Sequence, residues 1–155
     1  MKIWAHRGCS QMYPENTITS FEKAMDIPGL CGIELDIQLT KDQEIVVIHD
    51  ERVDRTTEGY GFVRDFTLSE LKRLNIYTGT GMTEHIPTMR EVLDLLEHRL
   101  KEYVKNSSGQ NQDSGGLRLN IELKPTGKEV DFEKYVIEII QKKKFADRCI
   151  ITSFS

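Results

Sequence analysis

From Ile33 to Gln38 the chain alternates without exception: Ile33, Leu35 and Ile37 fall on one side, Glu34, Asp36 and Gln38 on the other. Ile121-Glu122-Leu123-Lys124 repeats the arrangement far along the chain. A period of two is that of a β-strand. In an open antiparallel sheet the acidic side would simply meet water. Here segments of helical period alternate with the strand patterns, which predicts a parallel α/β sheet with helices over its apolar side. Closed into a barrel, such a sheet turns its other side inward, where unpaired carboxylates are costly and need a cation. Glu34, Asp36 and Glu122 offer hard oxygen ligands, suited to Mg²⁺ or Ca²⁺ rather than Zn²⁺. Lys124 would then face a bound anion.

The remaining elements follow from local patterns. Lys2–Ala5 is a short β-prone run and Arg7–Asn16 has turn composition. Thr17 has the N-cap residue type for a helix carrying Ile18, Phe21, Ala24 and Met25, which Pro28-Gly29 stops. After the strand Leu30–Leu39, the four β-branched residues Ile45–Ile48 read as a strand buried on both faces of a parallel sheet, ended by His49-Asp50. Only Ile37–Glu44 separates it from the acid pair, too little for a helical crossover. Eight extended residues span about 26 Å, so an extended return is expected instead. Thr67 with Glu70, and Thr88 with Glu91, have the spacing of capping boxes. The second opens a helix over Thr88–Val104 with Met89, Val92, Leu93, Leu96, Leu100 and Val104 in one stripe. Asn106–Gly116 holds no apolar residue and reads as a mobile inserted loop, entering the next strand at the edge away from the chemistry. Leu117–Leu123 is a strand, Val130–Lys144 a helix with Val136, Ile137 and Ile140 inward, and Cys149 opens a fifth strand.

Composition narrows the function. In 155 residues, 21 Lys+Arg against 25 Asp+Glu give a net charge of −4, which disfavours a nucleic-acid binder with a dominant basic face. No run approaches the ~18 apolar residues of a membrane span, and the start lacks the apolar core of a signal peptide, so a cytoplasmic protein is expected. Cys9, Cys31 and Cys149 form neither a disulfide framework nor a metal pair, and read as free thiols. The Gly59–Gly61 turn and the Thr78–Gly81 segment match no P-loop, so nucleotide binding is not indicated.

His6 and His49 each end a strand beside the acids. A lone histidine in such a place is most often structural, but active sites of α/β barrels gather at the strands' C-terminal edge, and two histidines there become candidates for proton transfer. Arg7 adds a planar fork for phosphate oxygens. His85 and His98 lack comparable context and read as surface residues.

These residues resemble the glycerophosphodiester phosphodiesterases. The resemblance rests on His6-Arg7-Gly8, Pro14-Glu15-Asn16-Thr17, Glu34-Leu35-Asp36, His49-Asp50 and Ile121-Glu122-Leu123-Lys124, in that order. It implies a TIM (β/α)8-type barrel and metal-dependent hydrolysis of a small-molecule glycerophosphodiester to glycerol 3-phosphate and an alcohol. It further implies that His6 and His49 act as general acid and base, that Glu34, Asp36 and Glu122 hold a divalent cation, Mg²⁺ or Ca²⁺, and that Arg7 and Lys124 contact the phosphate. Glu15 and Asn16 look supporting. Asp54-Arg55-Thr56-Thr57 with Gly59 resembles the family's next segment, with substrate-loop or structural duty open. Because a TIM barrel takes about 250 residues and five of its eight strands are legible here, residues 1–155 read as the N-terminal portion of one barrel domain. The alternatives are a half-barrel completed by self-association, and a non-catalytic metal-binding or regulatory fragment.

Overall fold

A computed structural model describes residues 3–79, 81, 83–106, 117–125 and 131–153, with the side chains of 103–106 excepted. The loop expected over Asn106–Gly116 lies, beyond Asn106, outside the described residues, as do Lys2, Thr80, Val130 and the side chain of Val104. The elements run β1 (Ile3–His6), α1 (Ile18–Met25), β2 (Leu30–Leu39), β3 (Ile45–Val47), α2 (Leu68–Leu71), α3 (Met89–Asn106), β4 (Arg118–Leu123), α4 (Phe132–Lys142) and β5 (Cys149–Ser153). β1, β2, β4 and β5 lie side by side in that order, all parallel, and α1, α3 and α4 supply the apolar side chains packed on one face. This is part of a (β/α)8-type barrel wall.

All five expected strands are present, but the third is not parallel. β3 pairs antiparallel with β2, Ile37 opposite Val47 and Leu39 opposite Ile45. The extended return is therefore β3 itself, turned by Thr40–Glu44, where Thr40 and Glu44 are joined by a backbone hydrogen bond of 3.0 Å. The β-branched composition predicts a central parallel strand; burial on both faces has another cause here. Ile45 and Val47 join the main core with Leu35, Leu93 and Ile121, whereas Val46 and Ile48 join a second, smaller core with Val53, Val63, Leu71, Ile76 and Ile86. β3 is thus a wall shared by two cores.

Both capping boxes form. Thr67 and Glu70 cap α2, and Thr88 accepts from the Glu91 backbone (3.2 Å) while the Glu91 carboxylate takes the Thr88 N–H (2.6 Å). Thr17 caps α1 by accepting from the Ser20 N–H at 3.1 Å. In α3, Met89, Val92, Leu93 and Leu96 are buried and Leu100 is partly so. The α4 stripe differs from expectation: Val136, Ile139 and Ile140 face inward, while Ile137 is 43% exposed. At 3.6 residues per turn, the residues three and four beyond Val136 share its face, and the adjacent Ile137 is rotated toward solvent. No helix among the described residues is long and apolar enough to cross a membrane, and the three cysteines are free.

Candidate active site

Strand register builds the site. His6 lies beside Glu34 across the β1–β2 pairing, and Asp36 lies beside Glu122 across the β2–β4 pairing. Parallel neighbours in register present their side chains to the same face, so three carboxylates from two strands converge. One oxygen from each of Glu34, Asp36 and Glu122 lies within 4.8 Å of the others. The acids are not a solvated face: Glu34 is 8% exposed and Asp36 wholly buried.

The loop after β1 wraps this cluster. Arg7 adopts a left-handed backbone (φ 57°), so its N–H reaches both the Glu34 carbonyl and Glu34 Oε2 at 3.0 Å. Gly8 follows at φ 83°, where a Cβ would lie 2.4 Å from Ser20 Oγ and 2.8 Å from the Ser20 carbonyl carbon. Only glycine fits that approach, which is the physical content of His6-Arg7-Gly8. Asn16, also left-handed (φ 57°), donates from Nδ2 to Asp36 Oδ2 at 3.0 Å. The Arg7 guanidinium lies 3.2 Å from Asp36 and donates to Glu15 Oε1 at 3.2 Å. Lys124 pairs with Glu122 and stands 3.3 Å from Asp36 Oδ1. His6 Nε2 lies 3.7 Å from Glu34 Oε2, its ring largely exposed.

Charge balance is incomplete. Burial, reinforced by the neighbouring charge of Asp36, pushes the Glu34 carboxyl up to about 7. Burial opposes the Lys124 ammonium, but the hydrogen bond from Lys124 to Glu122 and the attraction of Asp36 and Glu122 outweigh it and raise its pKa. Arg7 and Lys124 approach Asp36 within ion-pair distance, yet Glu34 Oε1, Asp36 Oδ1 and Arg7 Nε remain buried without a hydrogen-bond partner. Orphaned carboxylate oxygens in a trio of hard ligands fit a divalent cation, whose charge would offset the penalty of burying them.

His49 is two residues past β3, in a bend rather than at a strand end. The hairpin brings this segment back level with the acids, since the Ile48 N–H donates to the Asp36 carbonyl at 3.0 Å. Its ring Nδ1 meets Asp50 Oδ1 at 2.7 Å. Asp50 and Gln38 stand at the site although sequence reasoning leaves them without a role, and Arg55, whose substrate-loop or structural duty it leaves open, joins them. Gln38 continues the acidic face of β2 and donates from Nε2 to the carbonyls of Ile48 (3.1 Å), His49 (3.0 Å) and Asp50 (2.6 Å). Its place on the acid face is the available signal. His85 and His98 are exposed and stand apart from this cluster.

Residues 6–155 match the profile of the glycerophosphoryl diester phosphodiesterase family. A glycerophosphodiester phosphodiesterase of Caldanaerobacter subterraneus is 44% identical over 99% of this chain and 58% of its own length. Human glycerophosphodiester phosphodiesterase 1 is 32% identical over 97% of this chain and 47% of its own. Among solved structures, an Oleispira antarctica phosphodiesterase in complex with the product sn-glycerol-3-phosphate superposes with a TM-score of 0.81 at 28% identity, covering 100% of this chain and 58% of that one. The chain thus spans about half the length of these relatives. With the profile reaching from His6 to Ser155 and such identity over nearly every residue, the chain belongs to the glycerophosphoryl diester phosphodiesterase family.

Proposed function

We propose that this chain carries the metal-binding and proton-transfer part of an enzyme that hydrolyses glycerophosphodiesters to glycerol 3-phosphate and an alcohol. The observation that carries this reading is the trio Glu34, Asp36 and Glu122, the first two buried and each with an oxygen that takes no hydrogen bond, with His6 alongside. The product bound by the Oleispira relative supports the substrate class. Glu34, Asp36 and Glu122 would hold Mg²⁺ or Ca²⁺. Such an ion, when bound, neutralises phosphate charge and makes a hydroxyl more acidic.

The chain's own groups do the rest. Arg7 and Lys124, already at the cluster, bind the phosphate oxygens and orient the phosphorus for attack. His49 takes the proton of the attacking oxygen, either of water or of a substrate hydroxyl whose cyclic phosphate a water then opens, and His6 gives one to the departing alcohol oxygen. Asn16 and Glu15 hold Asp36 and Arg7 in place. Loss of either proton-transfer group should cost at least ~10²-fold in rate. The test is hydrolysis of glycerophosphocholine after EDTA treatment and again after Mg²⁺ or Ca²⁺ is restored. Activity indifferent to chelation, or a His49→Ala protein of near wild-type rate, refutes the assignment. Three free thiols suit a reducing, cytoplasmic setting.

One observation favours a second reading, a metal-binding fragment without turnover. Ile3 and Trp4 on β1 and Ile150 and Ile151 on β5 are each about 40% exposed, so the sheet's outer strands leave apolar surface uncovered. Ca²⁺ titration of the same sample decides: binding without hydrolysis supports this reading, and hydrolysis supports completion by self-association.

A further inference from the structure

Arg55 is half exposed, yet its guanidinium holds two carboxylates at once. Nε and Nη2 donate to Asp50 Oδ2 (2.6 Å) and Oδ1 (3.2 Å), while Nη1 and Nη2 donate to Glu15 Oε2 (3.0 Å) and Oε1 (2.6 Å). The two acids come from different segments, Glu15 from the loop between β1 and α1 and Asp50 from the bend after β3. Beyond Glu15 stands Arg7, and beyond Asp50 stands His49 Nδ1. The hydrogen bond from Arg55, with that from His49 and the nearby positive charge, holds the Asp50 carboxyl at about 2 against the effect of burial. An ionised carboxylate only accepts, so the proton in the 2.7 Å contact sits on His49 Nδ1, which in a neutral ring leaves the lone pair on Nε2.

We propose that Arg55 is a positioning residue for His49: by gripping Asp50 and Glu15 together, it fixes the Asp50 carboxylate against Nδ1 and so sets the imidazole tautomer. The proposal rests on the reading of His49 as a proton-transfer group and names what prepares that group. Bidentate forks in a charge network add stability as well as order, so the positioning role is read from the His49 tautomer, which stability alone does not set. Two parallel forks need a planar guanidinium, which a lysine ammonium cannot replace. Gln38 adds the backbone half of the same device by holding the carbonyls of residues 48–50.

The test is the neutral-imidazole tautomer of His49, read from long-range ¹H–¹⁵N correlations in the ¹⁵N-histidine-labelled 155-residue chain and assigned by comparison with His49→Gln. The wild-type chain should carry the proton mainly on Nδ1. Arg55→Ala and Arg55→Lys should each shift the proton toward Nε2, while the amide spectrum stays that of a folded chain. A wild-type His49 protonated mainly on Nε2 overturns the proposal, as does a folded Arg55→Lys chain with the wild-type tautomer ratio. If both Arg55 variants unfold, Glu15→Gln, which leaves the Asp50 fork intact and weakens the bonds that Arg55 and Arg7 make to Glu15, is read by the same criterion. The spectrum reports no turnover, so absence of diester hydrolysis counts against the proposed function and leaves this result standing.

Discussion

Replacing Glu34 by glutamine isolates the cost of burying the acid cluster. Burial first, and then the charge of Asp36, raises this carboxyl from 4.5 to about 7, overcoming the backbone hydrogen bond from Arg7 that lowers it. The native chain therefore binds the proton more tightly than the unfolded chain does. A raised carboxyl contributes its stability in full below the unfolded value, and that contribution disappears as pH rises through about 7. At about 1.4 kcal/mol for each tenfold change in acidity, the loss between roughly pH 4 and 8 is at most ~3 kcal/mol. Water reaching the half-buried Glu122 side of the cluster makes this a ceiling. The carboxyls of Glu15 and Asp50 are shifted the other way, so what they contribute is lost as pH falls, opposite in sign to Glu34. Glutamine keeps the shape and an acceptor for the Arg7 N–H, at 3.0 Å in the native chain, but cannot ionise. Urea unfolding in EDTA should show the wild-type chain weakening across this range and Glu34→Gln holding nearly level over its upper part. An identical pH slope in the two proteins would refute the account of the cluster. Saturating Mg²⁺ or Ca²⁺ should reverse the wild-type trend, because the cation binds the ionised form.

Gly8→Ala should destabilise the chain by several kcal/mol, since it combines φ 83° with a Cβ 2.8 Å from the Ser20 backbone, whereas Gly29→Ala, at φ 78° in open space, should cost only about 1–2 kcal/mol. Equal urea midpoints for the two variants would contradict that distinction. Replacing residues 107–114 with a short Gly-Ser turn should leave divalent-metal affinity within about threefold, because the connection enters β4 at Arg118 while Glu122 lies near the opposite end of that strand. A hundredfold loss, measured by calorimetry on a folded protein, would mean that the segment reaches the acids.

Alternation exposes the acid face of β2 and β4 in the sequence because a strand's two faces are written in its period, and the residue types of Thr17, Thr67 and Thr88 mark three helix starts. The direction of β3 is not legible. Four β-branched residues report burial on both faces, and burial by two cores leaves the same composition as burial inside a parallel sheet. Ile137 is a different case, since Phe132, Val136, Ile139 and Ile140 mark one face at helical spacing, and placing Ile137 inward instead of Ile139 runs against that spacing. In the site, Glu34, Asp36 and Glu122 can be grouped from strand pattern and family motif alike. The Glu15–Arg55–Asp50–His49 chain of contacts cannot, because it joins a loop to a bend, where no periodicity fixes which side chains meet.

The central claim is that Glu34, Asp36 and Glu122 form one divalent-cation site. Anomalous diffraction from crystals of this chain soaked in Mn²⁺, a hard octahedral ion that takes the same oxygen ligands as Mg²⁺, tests it most directly. One dominant peak is expected, bounded by oxygens of all three residues at about 2.0–2.4 Å, together with its loss in Asp36→Asn crystals. A soaked crystal with no peak there, or a dominant peak that ignores Asp36, would contradict it.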